Sequence, residues 1–406
     1  MVDSVSIALI ISALILVIGF AANFFFKKTG LPDMLILIFL GALFGPVLGV
    51  FDPTSVESFA PYIAALALAY ILFDGGMGLN IKRVLLNSPK ALLLAILGFV
   101  FSILGVCAFT VFVFNLPLIY GLLFGSIFGG SSSVVVISLA SKIKLSDKGC
   151  TILILESAIT DILCIVISLS LLDVIVTGQA NVIAIGLGIA GKFAIGLAIG
   201  VALGFAWLFA LRKVASLPFS YMLTIAVVLL GYAASESLGG SGALSALLFG
   251  LILGNEREIL KMFRQNGYNS TNGNNGKRSL AVSKGLKRFE AEIAFLIRTF
   301  FFVFLGIIFS ISSLSLLLSG IVLSVILLVT RFGAVWLTTA KTSLSKERPI
   351  MTFVLTRGLA AAVLATLPAQ YNLPYSDLFV NLAVVIIVVT AIIATIGSLA
   401  IARKEQ

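Results

Sequence analysis

The hexapeptide Glu156-Ser157-Ala158-Ile159-Thr160-Asp161 places two carboxylates and two hydroxyls inside an apolar run. On a helix Ser157 and Asp161, four apart, share one face, and Glu156 and Thr160 share the face beside it. A face with one carboxylate and one hydroxyl suits a hard cation stripped of part of its water, since such ions take oxygen ligands. The same carboxylate can hold a proton instead, so proton and cation would compete for Asp161. The chain contains no histidine. His-based triads, His-ligated zinc and imidazole relays are therefore excluded, and any proton handled here must pass over carboxylates.

Other ionisable groups also fall in apolar runs, where each charge costs on the order of 3 kcal/mol. Asp74 stands in Phe73-Asp74-Gly75-Gly76, Arg331 in the run 314–339, and Arg357 in Thr356-Arg357-Gly358. For Asp74 alone, a site ligand and an interfacial residue reaching water fit equally. An unpaired buried charge is costly enough that Glu156 is expected to pair with Arg331 or Arg357. Arg298 is expected to snorkel to the interface. Lys192 is expected to face a groove between two halves of the chain, and Glu236 to be interfacial.

These residues must be positioned by helices in lipid. Of the 406 residues, 60% are hydrophobic and 11% charged, where a water-soluble domain carries about 25% charged residues. Apolar runs of about 20 residues recur along the chain, each long enough to cross a bilayer as a helix. The alternating pattern of a membrane barrel is missing. Thirteen spans are predicted, at 4–26, 31–50, 59–79, 90–114, 116–141, 150–175, 181–211, 217–237, 239–254, 290–311, 314–339, 350–369 and 375–401. Of the 27 Lys and Arg, all but Lys192, Arg298, Arg331 and Arg357 lie in the connections after odd-numbered spans, in the C-terminal tail or, for Lys90, at the span edge that borders such a connection. That bias predicts the N-terminus outside and the C-terminus in the cytoplasm. It also accounts for the net charge of +10 without a nucleic-acid partner. The first apolar run has no basic segment before it and no small-residue cleavage site, so it reads as a span. Cys107, Cys150 and Cys164 lack framework spacing and read as small apolar residues.

The long polar stretch 255–289, with its Asn- and Gly-rich run at 266–276, reads as a flexible cytoplasmic linker. An odd number of spans suits two inverted six-span repeats, as in secondary transporters. The first repeat would be 1–175, with Asp161, and the second 217–406, joined by a connecting helix at 176–216. Spans 5 and 12 are interrupted at corresponding places, by Gly125-Ser126-Ile127-Phe128-Gly129-Gly130-Ser131-Ser132-Ser133 and by Thr356-Arg357-Gly358 with Pro368 beyond. Such runs weaken a helix, and unwound backbone is tolerated at mid-membrane only where it lines a cavity. The fold class predicted is an all-α polytopic membrane protein with two broken helices. A phosphate-binding Gly-x-x-x-x-Gly-Lys-Ser/Thr loop is absent, which disfavours an ATP-driven pump. Metalloprotease ligands are missing and a serine would lack its His base, so the chain is not expected to be an enzyme.

In order along the chain, Leu72-Phe73-Asp74-Gly75-Gly76, the interrupted fifth span, Glu156-Ser157-x-x-Thr160-Asp161, Phe300-Phe301-Phe302-Val303-Phe304-Leu305-Gly306, Arg331 and Arg357-Gly358-Leu359 carry a family resemblance. Together they resemble the cation:proton antiporter superfamily, its archaeal and bacterial sodium/proton antiporters in particular. The resemblance implies thirteen helices, two broken helices that cross, and a homodimer. It implies that Asp74, Ser157 and Asp161 bind Na+, helped by the backbone or hydroxyl of Ser131 and with Thr160 beside them. Glu156 would pair with Arg331, and Arg357 is a further candidate near the site. Thr160-Asp161 stands where the family usually has Asn-Asp or Asp-Asp, and Ser131-Ser132-Ser133 where Thr-Asp-Pro is common. With one carboxylate in the pair and no Lys in spans 10 or 11, the chain looks like the electroneutral branch. The activity implied is exchange of Na+ (or Li+) for H+ across a prokaryotic plasma membrane by alternating access, serving pH homeostasis, with no cofactor beyond the transported ions. A K+/H+ antiporter, a Na+-coupled organic solute carrier and a cation channel are the alternatives. A solute carrier needs an enlarged binding cavity, whereas the oxygen ligands here are ion-sized, and a channel would conduct far faster than exchange.

Overall fold

A helix that is apolar on every face is stable only in lipid or among other such helices, and the computed structural model is built of them. It describes residues 4–51, 56, 59–79, 81, 88–132, 135–136, 145–178, 182–214, 217, 219–259, 284–310 and 313–404. Among the described residues there is no β-strand. The first helices are α1 (Ser4–Thr29), α2 (Asp33–Ala42), which a π-turn at Leu43–Val47 continues around Pro46, α3 (Ala60–Gly78), α4 (Ser88–Phe114) and α5 (Leu118–Ile127). Then come α6 (Asp147–Thr177), α7 (Val182–Val214), α8 (Ser220–Ser237), α9 (Gly242–Gly254) and α10 (Lys284–Ile308). The last are α11 (Leu314–Thr339), α12 (Arg348–Phe353), α13 (Leu359–Gln370) and α14 (Ser376–Lys404).

Eight described helices are long and apolar enough to cross a membrane, and five shorter apolar ones lie at Asp33–Val47, Tyr62–Gly78, Leu118–Ile127, Gly242–Gly254 and Leu359–Gln370. One of these falls in each of the thirteen predicted spans. Bulky apolar side chains such as Phe20, Phe112 and Val329 are exposed along α1, α4 and α11, as on helices that face lipid. The chain is a multi-pass membrane protein.

Two expectations need correction. Residues 255–289 are not one linker: 256–259 are helical, and α10 begins at Lys284 rather than at 290. Packing explains the early start, since Leu286 is fully buried and the Phe289 ring lies 5.8 Å from that of Tyr221. The run 266–276 lies outside the described residues. Pro368 does not interrupt span 12 either; it sits inside α13, which continues to Gln370. Proline there forgoes the one bond its N–H would have made to the preceding turn, and the helix ends two residues later.

Packing divides the chain into two compact units that interleave in sequence. One comprises 1–64, 87–180 and 298–406, the other 65–86 and 181–297. The repeat boundaries expected at 1–175, 176–216 and 217–406 concern internal symmetry and cut across this division. In the first unit α4 packs on α5, α6 and α11, while α14 packs on α11, α12 and α13. Helix α13 also meets α5 and α6. Helix α6 is started by Ser146, whose hydroxyl accepts from the Gly149 N–H at 3.1 Å, and stopped by Gly178 in the left-handed region at φ 67°. Its middle carries residues 156–161.

In the second unit α9 packs on α7 and α8. An apolar cluster joins Tyr70, Phe73 and Met77 of α3 to Trp207 of α7, Phe249 of α9 and Leu286 of α10. Helices α3 and α9 approach so closely that a Cβ on Gly250 would lie 2.1 Å from the Phe73 carbonyl oxygen. Only glycine permits such backbone contact. It fixes the turn of α3 that bears Asp74. Gly250→Ala is expected to force the two helices apart at a cost of about 1–3 kcal/mol. The measurement is the thermal unfolding midpoint in detergent, and an unchanged midpoint would show that the backbones do not touch there.

Candidate ion-binding site

Span 5 leaves the helix after Ile127, turns through Phe128–Gly130, and is unwound at Ser131 and Ser132; Ser133 lies outside the described residues. Span 12 is unwound from Val354 to Gly358, between α12 and α13. The two breaks meet. The Ser132 N–H donates to the Thr356 carbonyl at 2.7 Å. A Cβ on Gly358 would lie 2.4 Å from Ser132 Oγ, so glycine is what lets the segments cross. Backbone groups freed from their helices thereby find partners in one another rather than facing lipid.

The broken C-terminal end of α5 carries the negative end of a helix dipole. Arg357 meets it, donating from Nη1 to the Gly130 carbonyl. Arg357 is 1% exposed, and its backbone N–H donates to Thr390 Oγ1 of α14 at 3.2 Å. Its Nε has no hydrogen-bond partner among the described residues.

Helix α6 is bonded to the same break. The Ser131 N–H donates to Thr160 Oγ1 at 3.2 Å, and Thr160 Oγ1 donates to the Ser157 carbonyl at 3.0 Å. Ser131 Oγ stands 3.1 Å from each carboxylate oxygen of Glu156. Those oxygens also accept from Nη1 and Nη2 of Arg331, each at 3.2 Å, while Arg331 Nε donates to the Met351 carbonyl at 3.0 Å. Both partners are buried, Glu156 at 1% exposure and Arg331 at 4%. A forked, charge-assisted pair of this kind is stiff as well as strong. It ties α6 to α11, α12 and the unwound part of span 5. Ser157 is fully buried and donates from Oγ to the Ile154 carbonyl at 3.0 Å. Asp161, one turn further on, is half-buried. Glu156, Asp161 and Arg331 all lie within Coulombic range of Arg357. Two arginines thus face two carboxylates.

Of the residues singled out in the sequence, Asp161, Ser157, Thr160, Glu156, Ser131, Arg331 and Arg357 are gathered in the first unit. Asp74 belongs to the second, half-buried on α3 one turn after Tyr70. Arg298 does not snorkel: its Nη2 donates to Asp33 Oδ2 at 2.9 Å, an oxygen that also accepts from Asn23 Nδ2 at 3.3 Å. Asp33 went unnoticed because an acid in the first turn of a helix is favourable without a partner, yet it is 4% exposed. Glu290, at the first position of the predicted span 290–311, is also fully buried, accepting from the Tyr70 hydroxyl. Glu236 accepts from the Gly242 N–H at 2.7 Å, capping α9, and lies within Coulombic range of Lys192.

Comparison with known proteins bears on this geometry. Residues 10–404 match the family described as sodium/hydrogen exchanger, transmembrane. The K(+)/H(+) antiporter NhaP2 of Shewanella sp. (strain MR-4) is 30% identical over 404 residues, covering 96% of this chain. The chain spans 66% of that relative's length. The low-affinity Na(+)/H(+) antiporter NhaS1 of Synechocystis sp. is 26% identical over 317 residues, 75% of this chain and 55% of that protein. Among solved structures, the sodium proton antiporter MjNhaP1 from Methanocaldococcus jannaschii superposes with a TM-score of 0.77 at 21% identity, covering 99% of both chains. That likeness is one of fold.

Removing one member of the buried pair strands the other charge. Glu156→Gln and Arg331→Gln are each expected to lower stability by about 3–5 kcal/mol, and the double variant to recover part of the loss. Thermal unfolding in detergent reads the cycle. Strictly additive losses would show that the two charges do not act as a pair.

Proposed function

The chain belongs to the transmembrane sodium/hydrogen exchanger family, and from that premise we propose that it exchanges Na+ (or Li+) for H+ by alternating access. The observation that carries the reading is Asp161, a half-buried carboxylate at the middle of α6, in the unit where two broken helices cross. Glu156 is committed to Arg331 and Ser131. The trade of proton for cation therefore falls to Asp161. Ser157 and Thr160 donate their hydroxyl protons to backbone carbonyls and keep oxygen lone pairs to offer a cation. Ser131 belongs to the proposed ligand set as well, and the family resemblance of the sequence alone adds Asp74.

Charge counting sets the stoichiometry. With Asp161 ionised, Arg331 and Arg357 balance Asp161 and Glu156. One bound Na+ or one bound H+ adds the same charge, so both loaded forms carry equal charge across the membrane. Thr160 cannot ionise, and the guanidinium groups do not give up protons in the cycle. Exchange is then one for one and electroneutral, with Asp74 keeping one charge state throughout. The same proposal includes the inverted repeats, a homodimer, and no cofactor beyond the transported ions. Its setting is a prokaryotic plasma membrane, with the N-terminus outside and the C-terminus in the cytoplasm, as the Lys and Arg bias supports. Its service to the cell is pH homeostasis.

A second reading, K+/H+ exchange, is favoured by the NhaP2 relative, which is named for K+ and is 30% identical. Inside-out vesicles separate the two: dequenching of a pH dye is expected on adding Na+ or Li+, and a response to K+ alone would move the reading to K+. Asp161→Asn is expected to abolish exchange in a protein that still inserts and folds; cation-dependent proton flux persisting in that variant removes Asp161 as the carrier. In proteoliposomes with ΔpH held at zero, the rate is expected to ignore an imposed potential of either sign. A clear dependence would mean that Asp74 or Lys192 joins the proton cycle.

A further inference from the structure

Glu290 lies on α10 on the same face as Leu286 and Ala294, four residues to either side. Both belong to the buried apolar cluster of the second unit, with Tyr70 of α3. Glu290 is itself 0% exposed. Its Oε2 accepts from the Tyr70 hydroxyl, and its Oε1 is buried with no hydrogen-bond partner among the described residues. Basic neighbours on α10 are engaged elsewhere: Lys287 Nζ lies 3.4 Å from the Gly254 carbonyl, and Arg288 pairs with Glu292 at 3.0 Å on the surface. From α3, the titratable group that faces Glu290 is Tyr70. From α8, Tyr221 is turned to Phe289, while α7 and α9 bring apolar groups such as Trp207 and Phe249. No charged group exerts a Coulombic effect on Glu290 among the described residues.

Among the described residues, an ionised carboxylate here would have one hydrogen bond and no counter-charge, among the costliest groups to bury. A protonated one is merely a neutral group short of a partner. A metal cation would need several more oxygens than one tyrosine and one carboxylate supply. The ligand that fits is a proton.

We propose that Glu290 is a further proton-binding site of this chain, and that its protonation holds α10 packed on α3. Losing the proton sets a bare charge inside the apolar cluster, which must then open to water. Since α3 bears Asp74 one turn beyond Tyr70, alkaline pH would loosen a ligand-bearing helix and slow exchange; this transport consequence rests on the function proposed above.

The test begins without transport. Infrared spectra of the purified protein at neutral pH are expected to show a buried protonated carboxyl that Glu290→Gln removes. Tyr70→Phe should keep that band but move it to higher wavenumber, as loss of a hydrogen bond does. The unfolding midpoint of the unaltered protein should fall as pH rises into the alkaline range, while that of Glu290→Gln stays flat. In proteoliposomes Glu290→Gln should keep the maximal rate within about twofold and move the alkaline limb of the pH profile up by about one unit or more. A carboxyl band unchanged in Glu290→Gln, or alkaline limbs that coincide, would overturn the proposal. The spectra and the unfolding curves decide it even if the chain exchanges no ions.

Discussion

Hydrocarbon offers no hydrogen bonds, so a polar group carried into the bilayer must find its partner within the protein or not be carried there at all. The crossing of the two interrupted spans is organised by that constraint. Unwinding at Ser131–Ser132 and at Val354–Gly358 frees backbone groups at membrane depth, and each break supplies partners to the other. The Ser132 amide takes the Thr356 carbonyl, the Arg357 guanidinium takes the Gly130 carbonyl, and Thr160 of α6 takes the Ser131 amide. Were any of these missing, the break would be a defect rather than a site.

Charge follows the same logic. Arg357 compensates the negative end of α5, which brings a full positive charge into the unit, and Arg331 brings a second. Glu156 is locked to Arg331 by two parallel hydrogen bonds and held from the other side by Ser131. In the exchange proposed above, Asp161 completes the balance when ionised. A carboxylate that is half-buried rather than sealed can have its charge neutralised either by a proton or by a cation. The proposed exchange follows from this equivalence, and the pair at Glu156 and Arg331 serves as the fixed frame around it.

The second unit solves a different problem. Backbone contact at Gly250 and a shared apolar cluster hold α3. Glu290, fully buried there, relies on the Tyr70 hydroxyl alone among the described residues. A polar group so sparsely supported makes packing sensitive to its protonation, whereas the forked pair in the first unit makes packing insensitive.

Much of this was legible in the amino-acid order. Span number follows from run length against bilayer thickness, and the break in span 5 follows from its Gly-Gly-Ser-Ser run. Span 12, by contrast, unwinds through Val354-Leu355-Thr356-Arg357-Gly358, where Gly358 is the one weak helix former. The placing of Ser157 and Asp161 on one face is helical arithmetic. Limits appear where partners are remote. Glu156 could have taken either arginine by any count of residues, and only the packing of α11 on α4 and α12, with the Met351 carbonyl to orient it, selects Arg331. Arg298 looked like a snorkelling residue because Asp33, 265 positions away, shows no local sign of needing it. Glu290, at the first position of the predicted span 290–311, shows no local sign of deep burial because its partner Tyr70 is 220 positions away. Local structure is determined by the residues that form it, but which buried charges meet is decided by which helix faces are turned together, and that is a property of the folded chain.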